Sequence, residues 1–371
     1  MSIYHDSNNF INDVLKYTAD ADGTIVSLHD VAHFLHHQPS MEFTQTNLVS
    51  DGFVAAAHTD SNLINPWGVA LSPTGPFWVS DAGTGVTTIY DGGGAPVAAA
   101  GHTVIDIAPD PSGHSTPTGQ AFNSTTNGFQ VSADGVTAKS AFIFVTTQGT
   151  ISGWAPTVAG GERSVIAVDK SADGGAYTGV TLSDTGQNDM LYAANFRNGT
   201  VDVYDQSWTQ VGSIADPTLP DDYAPFNVSV LNGALYVTYA QRNPSGPGDV
   251  PGKGHGFVDK FDLQGHLIER VASRGALDSP WGLAIAPLSF GKYAGDLLVG
   301  NFGDGTINVY DFATDHFLGK LRGSDGQPIQ NDKLWAITTG NGGTAGDKGT
   351  LYFTAGVGNE QHGLFGSISP A

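Results

Sequence analysis

The sequence predicts an all-β fold, a six-bladed β-propeller behind a short α-helical N-terminal extension. Three observations carry this: a repeated phrase, a turn-rich composition, and the loss of helical periodicity beyond residue 42. The phrase recurs about every fifty residues, the spacing of one supersecondary unit in a repeat fold. It reads NPWGVALSPTGPFWVSDAGTGVTTIYD from Asn65 and SPWGLAIAPLSFGKYAGDLLVGNFGDGTINVYD from Ser279, almost residue for residue. Weaker copies are TPTGQAF with AFIFVTTQGTISGW, AYTGVTL with LYAANFRNGTVDVYD, APFNVSV with LYVTYA and GFVDKFD, and KLWAITTG with LYFTAG and HGLFGSI. Each copy holds a small-residue strand, an apolar β-branched or aromatic strand, a Gly-rich turn and an alternating strand, which together make one four-stranded blade. Closing six such blades into a ring hides the sheet edges that each would otherwise expose.

With 50 Gly and 19 Pro but only 14% charged residues, the chain fits a turn-rich β protein and neither a helical bundle nor a disordered segment. No apolar run is long enough to span a bilayer as a helix. A formal charge of -21 repels phosphate backbones and anionic lipid, so nucleic acid is not an expected partner. The chain has no Cys, which removes disulfides and thiolate metal sites and leaves the compartment open. The start, MSIYHDSNNF, has neither a basic n-region nor an apolar h-region of a signal peptide.

Residues 1–41 form the expected helical arm, with Phe10 to Tyr17 and Leu28 to His37 as helices around Ala19-Asp20-Ala21-Asp22-Gly23-Thr24. That loop imitates an EF-hand loop, but His29 stands where the bidentate carboxylate belongs, so a plain connection is expected. His29, His33, His36 and His37 share one helical side, which suits a packed or solvated face before a metal, and the arm offers a surface for homo-oligomerisation. The propeller occupies residues 42–371. The strand Phe43 to Val49 has no blade of its own and is expected to close the ring beside Leu364 to Ser369.

The phrases NPWG, FWVSDAGTG, GTISGW, LYAANFRNGTVDVYD, YAPFNV, PWGLAIAP, LLVGNFGDG and LYFTAG with HGLFGSI resemble a family of mostly secreted bacterial conserved hypothetical proteins with NHL-like propeller repeats. The resemblance spans roughly residues 42 to 370 and implies fold and an extracellular or periplasmic place, without an activity. More loosely, the architecture is similar to NHL-type and gluconolactonase-type propellers, which include lyases, lactonases and binding modules, an analogy of fold alone.

In a propeller, the loops entering each inner strand and the turns between second and third strands share one end of the ring, the expected functional rim. His58 and Asp60 enter blade one, and His114 lies before blade two. The long blade-four turn, Ala240 to Gly256, ends in His255, and the blade-six turn carries Glu360 and His362. His266 and His316 fall in hairpins at the opposite end. Ring closure makes blades six and one neighbours, so His58, His114, His362 and Glu360 are candidate ligands for Zn, Fe, Cu or Mn. Asp60, Glu360 and His255 are candidate acid–base groups, because a carboxylate can orient an imidazole that titrates near neutrality. A structural role at the closure seam is the main competing expectation.

The first-strand column reads Trp67, Thr118, Thr178, Phe226, Trp281 and Trp335. Trp67, Trp281, Trp335 and Phe226, with Tyr239, are candidate stacking surfaces for a sugar or aromatic ligand, although large residues also plug propeller channels. The turn column reads Asp81, Asn195, Tyr239 and Asn301, whose oxygens suit an axial Ca or Mg but serve equally well in Asx-turns. No G-x-S-x-G, H-E-x-x-H, P-loop or Rossmann fingerprint is present, so no nucleotide cofactor is expected. The leading functional expectation is a divalent-metal-dependent hydrolase or lyase acting on a small or oligomeric substrate in the funnel. The alternative is a non-catalytic module that binds a glycan or protein.

Overall fold

Alternation alone would bury one face of each strand; burial on both faces requires sheets stacked face to face. The second strands of the blades show that signature. Phe77–Asp81, Phe142–Thr146, Leu191–Asn195, Leu297–Asn301 and Leu351–Ala355 are buried at every position. The fourth strands Gln210–Ile214 and Phe317–Lys320 are largely exposed, as the outer rim of a radial arrangement must be.

The computed structural model describes residues 41–371 except positions 184 and 187. The expected N-terminal helices, their loop and the four histidines of the arm lie outside the described residues. Residues Glu42–Ala371 form one compact unit. Among the described residues, six sheets make the six blades of a propeller. The inner strands are Pro66–Leu71, Pro117–Phe122, Tyr177–Leu182, Tyr223–Leu231, Pro280–Ile285 and Leu334–Thr339. Five blades have four antiparallel strands in chain order outward from the axis. A hairpin absent from the sequence expectation, Gln130–Ala133 with Val136–Lys139, is inserted between the first and second strands of blade two.

In the sixth blade, Phe43–Ser50 pairs antiparallel with Leu364–Pro370, from Phe43 opposite Pro370 to Ser50 opposite Leu364. A two-residue strand, His58–Thr59, then adds in parallel to Val49 and Ser50.

The core consists of slabs between adjacent blades. One joins Ile143, Val145 and Ile151 of blade two to Leu191, Ala193 and Tyr204 of blade three. Another joins Phe365 and Tyr352 of blade six to Phe77, Val79 and Tyr90 of blade one. At the axis, the inner strands come too close for side chains between them. A Cβ on Gly68 would lie 2.5 Å from the Thr118 carbonyl, one on Gly119 2.6 Å from the Val180 amide, and one on Gly282 2.6 Å from the Trp335 carbonyl. The equivalent position in blade four is Asn227, which fills the space with a bond from its amide nitrogen to the Trp281 carbonyl at 2.8 Å.

Gly119→Ala should therefore destabilise the propeller by about 1–3 kcal/mol, the usual cost of overpacking, read as a lower urea midpoint with an unchanged m-value.

Candidate functional site

The residues two positions before the inner-strand tryptophans adopt a left-handed backbone. Asn65, Ser279 and Lys333 have φ of 47°, 46° and 54°, a conformation that a non-glycine residue rarely takes. This turn sends the chain from the rim into the axis and puts Trp67, Trp281 and Trp335 at the same depth. Trp67 and Trp335 stack with centroids 3.5 Å apart, and Trp281 meets both edge-on. Phe226 and Phe302 pack on Trp335 at 5.8 and 4.2 Å.

These rings, with Phe196, form one buried cluster across the axis. It is a plug, as the sequence allowed. Two of its indoles are tied in place: Trp281 Nε1 donates to the Thr178 carbonyl at 3.0 Å, and Trp335 Nε1 donates to Asn65 Oδ1 at 3.0 Å. Trp67 Nε1 is buried without a partner.

The plug divides the channel. Below it lies a polar cavity of about 380 Å³, lined by the outgoing halves of the inner strands, including Gln120, Asn227 and Ser229. Above it, at the end built by the entering loops, lies a funnel of about 730 Å³. Its floor is Trp67, Phe196, Phe226, Phe302 and Trp335, and its walls carry Thr147, Arg197, Arg242 and Glu360. The blade-four loop, Asn243 to Asp249, lies along one side.

Glu360 and the residue before it, Asn359, both have a left-handed backbone, with φ of 68° and 57°. Two successive non-glycine residues in that conformation hold the Glu360 side chain at the funnel. Burial pushes its carboxyl above the ordinary glutamate range, against the opposing pull of Lys333; the Asp249 charge adds to the rise. Asp249 is raised in the same way, first by burial, with Ser279 and Lys333 opposing and Asp278 adding. Its Oδ2 is buried without a hydrogen-bond partner. Two carboxyls thus face one aromatic-floored cavity, each favouring its protonated form more than an exposed carboxyl would.

The other expected site residues lie elsewhere. His58 is exposed on its short strand. His114 is exposed, with Nδ1 3.0 Å from Ser112 Oγ in the turn that Asp110 organises. His362 is spent on the closure seam: Nδ1 sits 2.6 Å from Asp51 Oδ2, and the ring stacks on Phe53 at 4.0 Å. Glu360 faces the funnel instead, so the four groups considered for a transition metal are not brought together. Among the described residues no group of three or more His, Asp or Glu side chains is placed to hold a metal ion.

Asp60 accepts a bond from Tyr90 Oη at 2.8 Å and caps its own turn through the Asn62 amide, a structural post. His255 holds the long loop through Nδ1, 2.8 Å from the Val250 carbonyl. Tyr239 is buried between blades three and four, away from the funnel.

The turn column also works within blades. Asp81 Oδ2 takes the Thr88 amide and hydroxyl, Asn195 Oδ1 takes the Ala176 and Asn198 amides, and Asn301 Oδ1 takes the Asp278 amide. The residue facing the axis is one further on: Ala82, Phe196, Ala240 and Phe302 belong to the plug cluster. Residues with a stake in the funnel that the sequence reading passed over are Arg197, Arg242, Asp249, Phe196 and Phe302. The signal lay in the aligned turns, where Arg197 in NFRNGT replaces the glycine of NFGDGT.

No protein-family model matches the chain. It is 33% identical over 329 residues to R648 of Acanthamoeba polyphaga mimivirus, an uncharacterised protein, covering 86% of this chain and 78% of R648. L690 of the same virus, also uncharacterised, is 30% identical over 332 residues, covering 86% and 84%. These relatives are viral, whereas the resemblance pointed to secreted bacterial proteins. Among solved structures, a streptogramin B lyase superposes with a TM-score of 0.53 at 13% identity over 89% of this chain and 98% of the lyase. A soluble aldose sugar dehydrogenase from Escherichia coli gives 0.50 at 13% identity over 89% and 100%. At that identity the likeness is one of fold.

The raised carboxyls have a consequence for stability. A carboxyl that binds its proton more tightly in the folded state stabilises the fold fully below the unfolded-state value, and that contribution is lost as pH rises through the folded-state value. Glu360→Gln and Asp249→Asn should each flatten the fall in stability between acid and neutral pH, measured by urea unfolding across that range; an unchanged slope would mean that these carboxyls titrate normally.

Proposed function

The chain belongs to the family of the mimivirus proteins R648 and L690, and from that premise we propose that its funnel binds a small organic molecule and performs acid–base chemistry on it. One observation carries the reading: Asp249 and Glu360, both raised mainly by burial, face a cavity of about 730 Å³ whose floor is aromatic. Two carboxyls raised by burial in one cavity are an arrangement in which one can donate a proton to a leaving group and the other can take one from water or a carbon acid. Perturbed titration in a cleft is where catalytic groups are found more often than elsewhere. The aromatic floor supplies affinity through apolar burial, and the polar walls supply orientation.

Hydrolysis or elimination are the reaction classes that two carboxyls serve without a nucleophilic serine or cysteine. The propeller fold is shared with a streptogramin B lyase and an aldose sugar dehydrogenase, so it is compatible with an enzyme. A metal at the rim histidines, the first expectation from sequence, has less support, because His362 is committed to Asp51 and His114 to its own turn. The binding-module reading rests on the stacked Trp67 and Trp335, which need no carboxyl to hold a ligand.

The test is a turnover screen over esters, lactones and uronate-containing oligosaccharides with the wild type, Glu360→Gln and Asp249→Asn. Turnover reduced about 10²- to 10⁴-fold in Glu360→Gln, with ligand affinity kept within a few-fold, is the expected result. A ligand bound equally by all three proteins and never converted would establish the binding module instead.

A further inference from the structure

In a chain with 36 acidic and 15 basic residues, a cation is expected to find a carboxylate. Several do: Arg270 bridges Asp216 and Asp259, Lys260 pairs with Glu269 at 2.8 Å, and Lys320 pairs with Asp304 at 2.7 Å. Arg197 and Arg242 do not. Neither has a carboxylate within ion-pair distance among the described residues, and both line the funnel.

Arg242 is nevertheless held in position. Its Nη1 donates to the Arg197 carbonyl at 3.3 Å, and its Nη2 donates to the Asp221 carbonyl. Carbonyl partners orient a guanidinium and leave its charge unneutralised. The nearby Asp222 carboxylate is engaged by Gln241 Nε2 at 2.7 Å. Arg197 stands on the exposed turn after Phe196, over Gly174, where a Cβ would meet its Nε at 3.7 Å.

We propose that the molecule bound in the funnel carries an oxyanion, a carboxylate or a phosphate, seated at Arg197 and Arg242 while its apolar body lies on the aromatic floor. The guanidinium is planar and presents paired N–H groups that match the two oxygens of such an anion, which a lysine would not do. Asp249 and Glu360 also line the funnel, but neither pairs with the two guanidiniums, and burial, opposed by Lys333, raises both carboxyls and so weakens their opposition to this field. The funnel is thereby polarised, with the guanidinium cations contributed by blades three and four and the buried carboxyls by the blade-four loop and blade six. A ligand with an anion at one end and a hydroxyl, ester or ether oxygen at the other spans that gradient. The inference rests on the funnel being the ligand site.

Ligand-observed NMR with a fragment set of matched pairs tests it, each carboxylate against its carboxamide and each phosphate monoester against its parent alcohol. Acids should bind wild type at least about 10-fold more tightly than their neutral partners, with an advantage that shrinks as salt is raised. The double variant Arg197→Gln, Arg242→Gln should erase that advantage and leave the neutral partners unchanged. Arg197→Gln alone, on its exposed turn, carries the test if the double variant unfolds.

A preference confined to carboxylates or to phosphates identifies which oxyanion the seat accepts. Thr147→Trp, which fills the funnel from its wall, separates the two readings. Equal binding of acids and neutral partners, all abolished by Thr147→Trp, overturns the oxyanion and keeps the funnel. Binding that survives Thr147→Trp, or no binding by any fragment, overturns both.

Discussion

The approach of one inner strand to the next, close enough at Gly68, Gly119 and Gly282 that no Cβ fits, is the constraint on which the propeller depends. Gly68, Gly119 and Gly282 allow backbone to meet backbone around the axis, and Asn227 replaces that contact with a hydrogen bond across the same gap. Six sheets can then converge on the axis, and their second strands are buried on both faces by their neighbours. The tryptophan preceding the glycine in blades one and five, and Trp335 in blade six, are delivered to the same depth. A larger residue in the glycine column would push blades apart and separate the rings that seal the channel.

The aromatic cluster lies between two pockets whose linings differ. The outgoing end is a small polar recess, whereas the entering end has an aromatic floor and charged walls. Each wall is made from a feature that its own blade already needs. Arg197 occupies a tight turn, Asp249 belongs to the long loop of blade four, and Glu360 is presented by a strained pair of left-handed residues. No single blade contains a site; the ring superimposes the tips of several turns, and the site is what those tips have in common. This explains how a repeat of bland turns hosts a polarised cavity.

The fold was legible because its signals are local and repeated. Pro-Trp-Gly, an apolar strand, a Gly-rich turn and Tyr-Asp return in order, and each repeat reinforces the register of the others. The site was partly legible. The long blade-four turn and Glu360 stood out, and both border the funnel. The histidines misled because a rim loop fixes which end of the ring a residue occupies but not where its side chain points. His362 was captured by Asp51 and Phe53, and His114 by Ser112 within one turn. Asn195 and Asn301 fell to a similar cause, since an amide at the end of a strand bonds nearby backbone before it reaches the axis. The phase of a strand end, one residue in or out, decides between turn and funnel. Only the three-dimensional register places Phe196 and Phe302 on the floor beside them.

The pairing of Phe43–Ser50 with Leu364–Pro370 sets the order of events during synthesis. The strand that completes the ring leaves the ribosome more than three hundred residues before its partner, and until then it presents an unmatched edge. Earlier blades can form as they emerge, each stacking on the last, but the two ends of the sheet series stay open throughout elongation. Closure therefore behaves as a late, long-range step with a large entropic cost, slower than the assembly of any single blade. A nascent chain stalled short of Leu364 would carry an almost finished propeller with two exposed sheet edges, a template for joining another copy rather than itself.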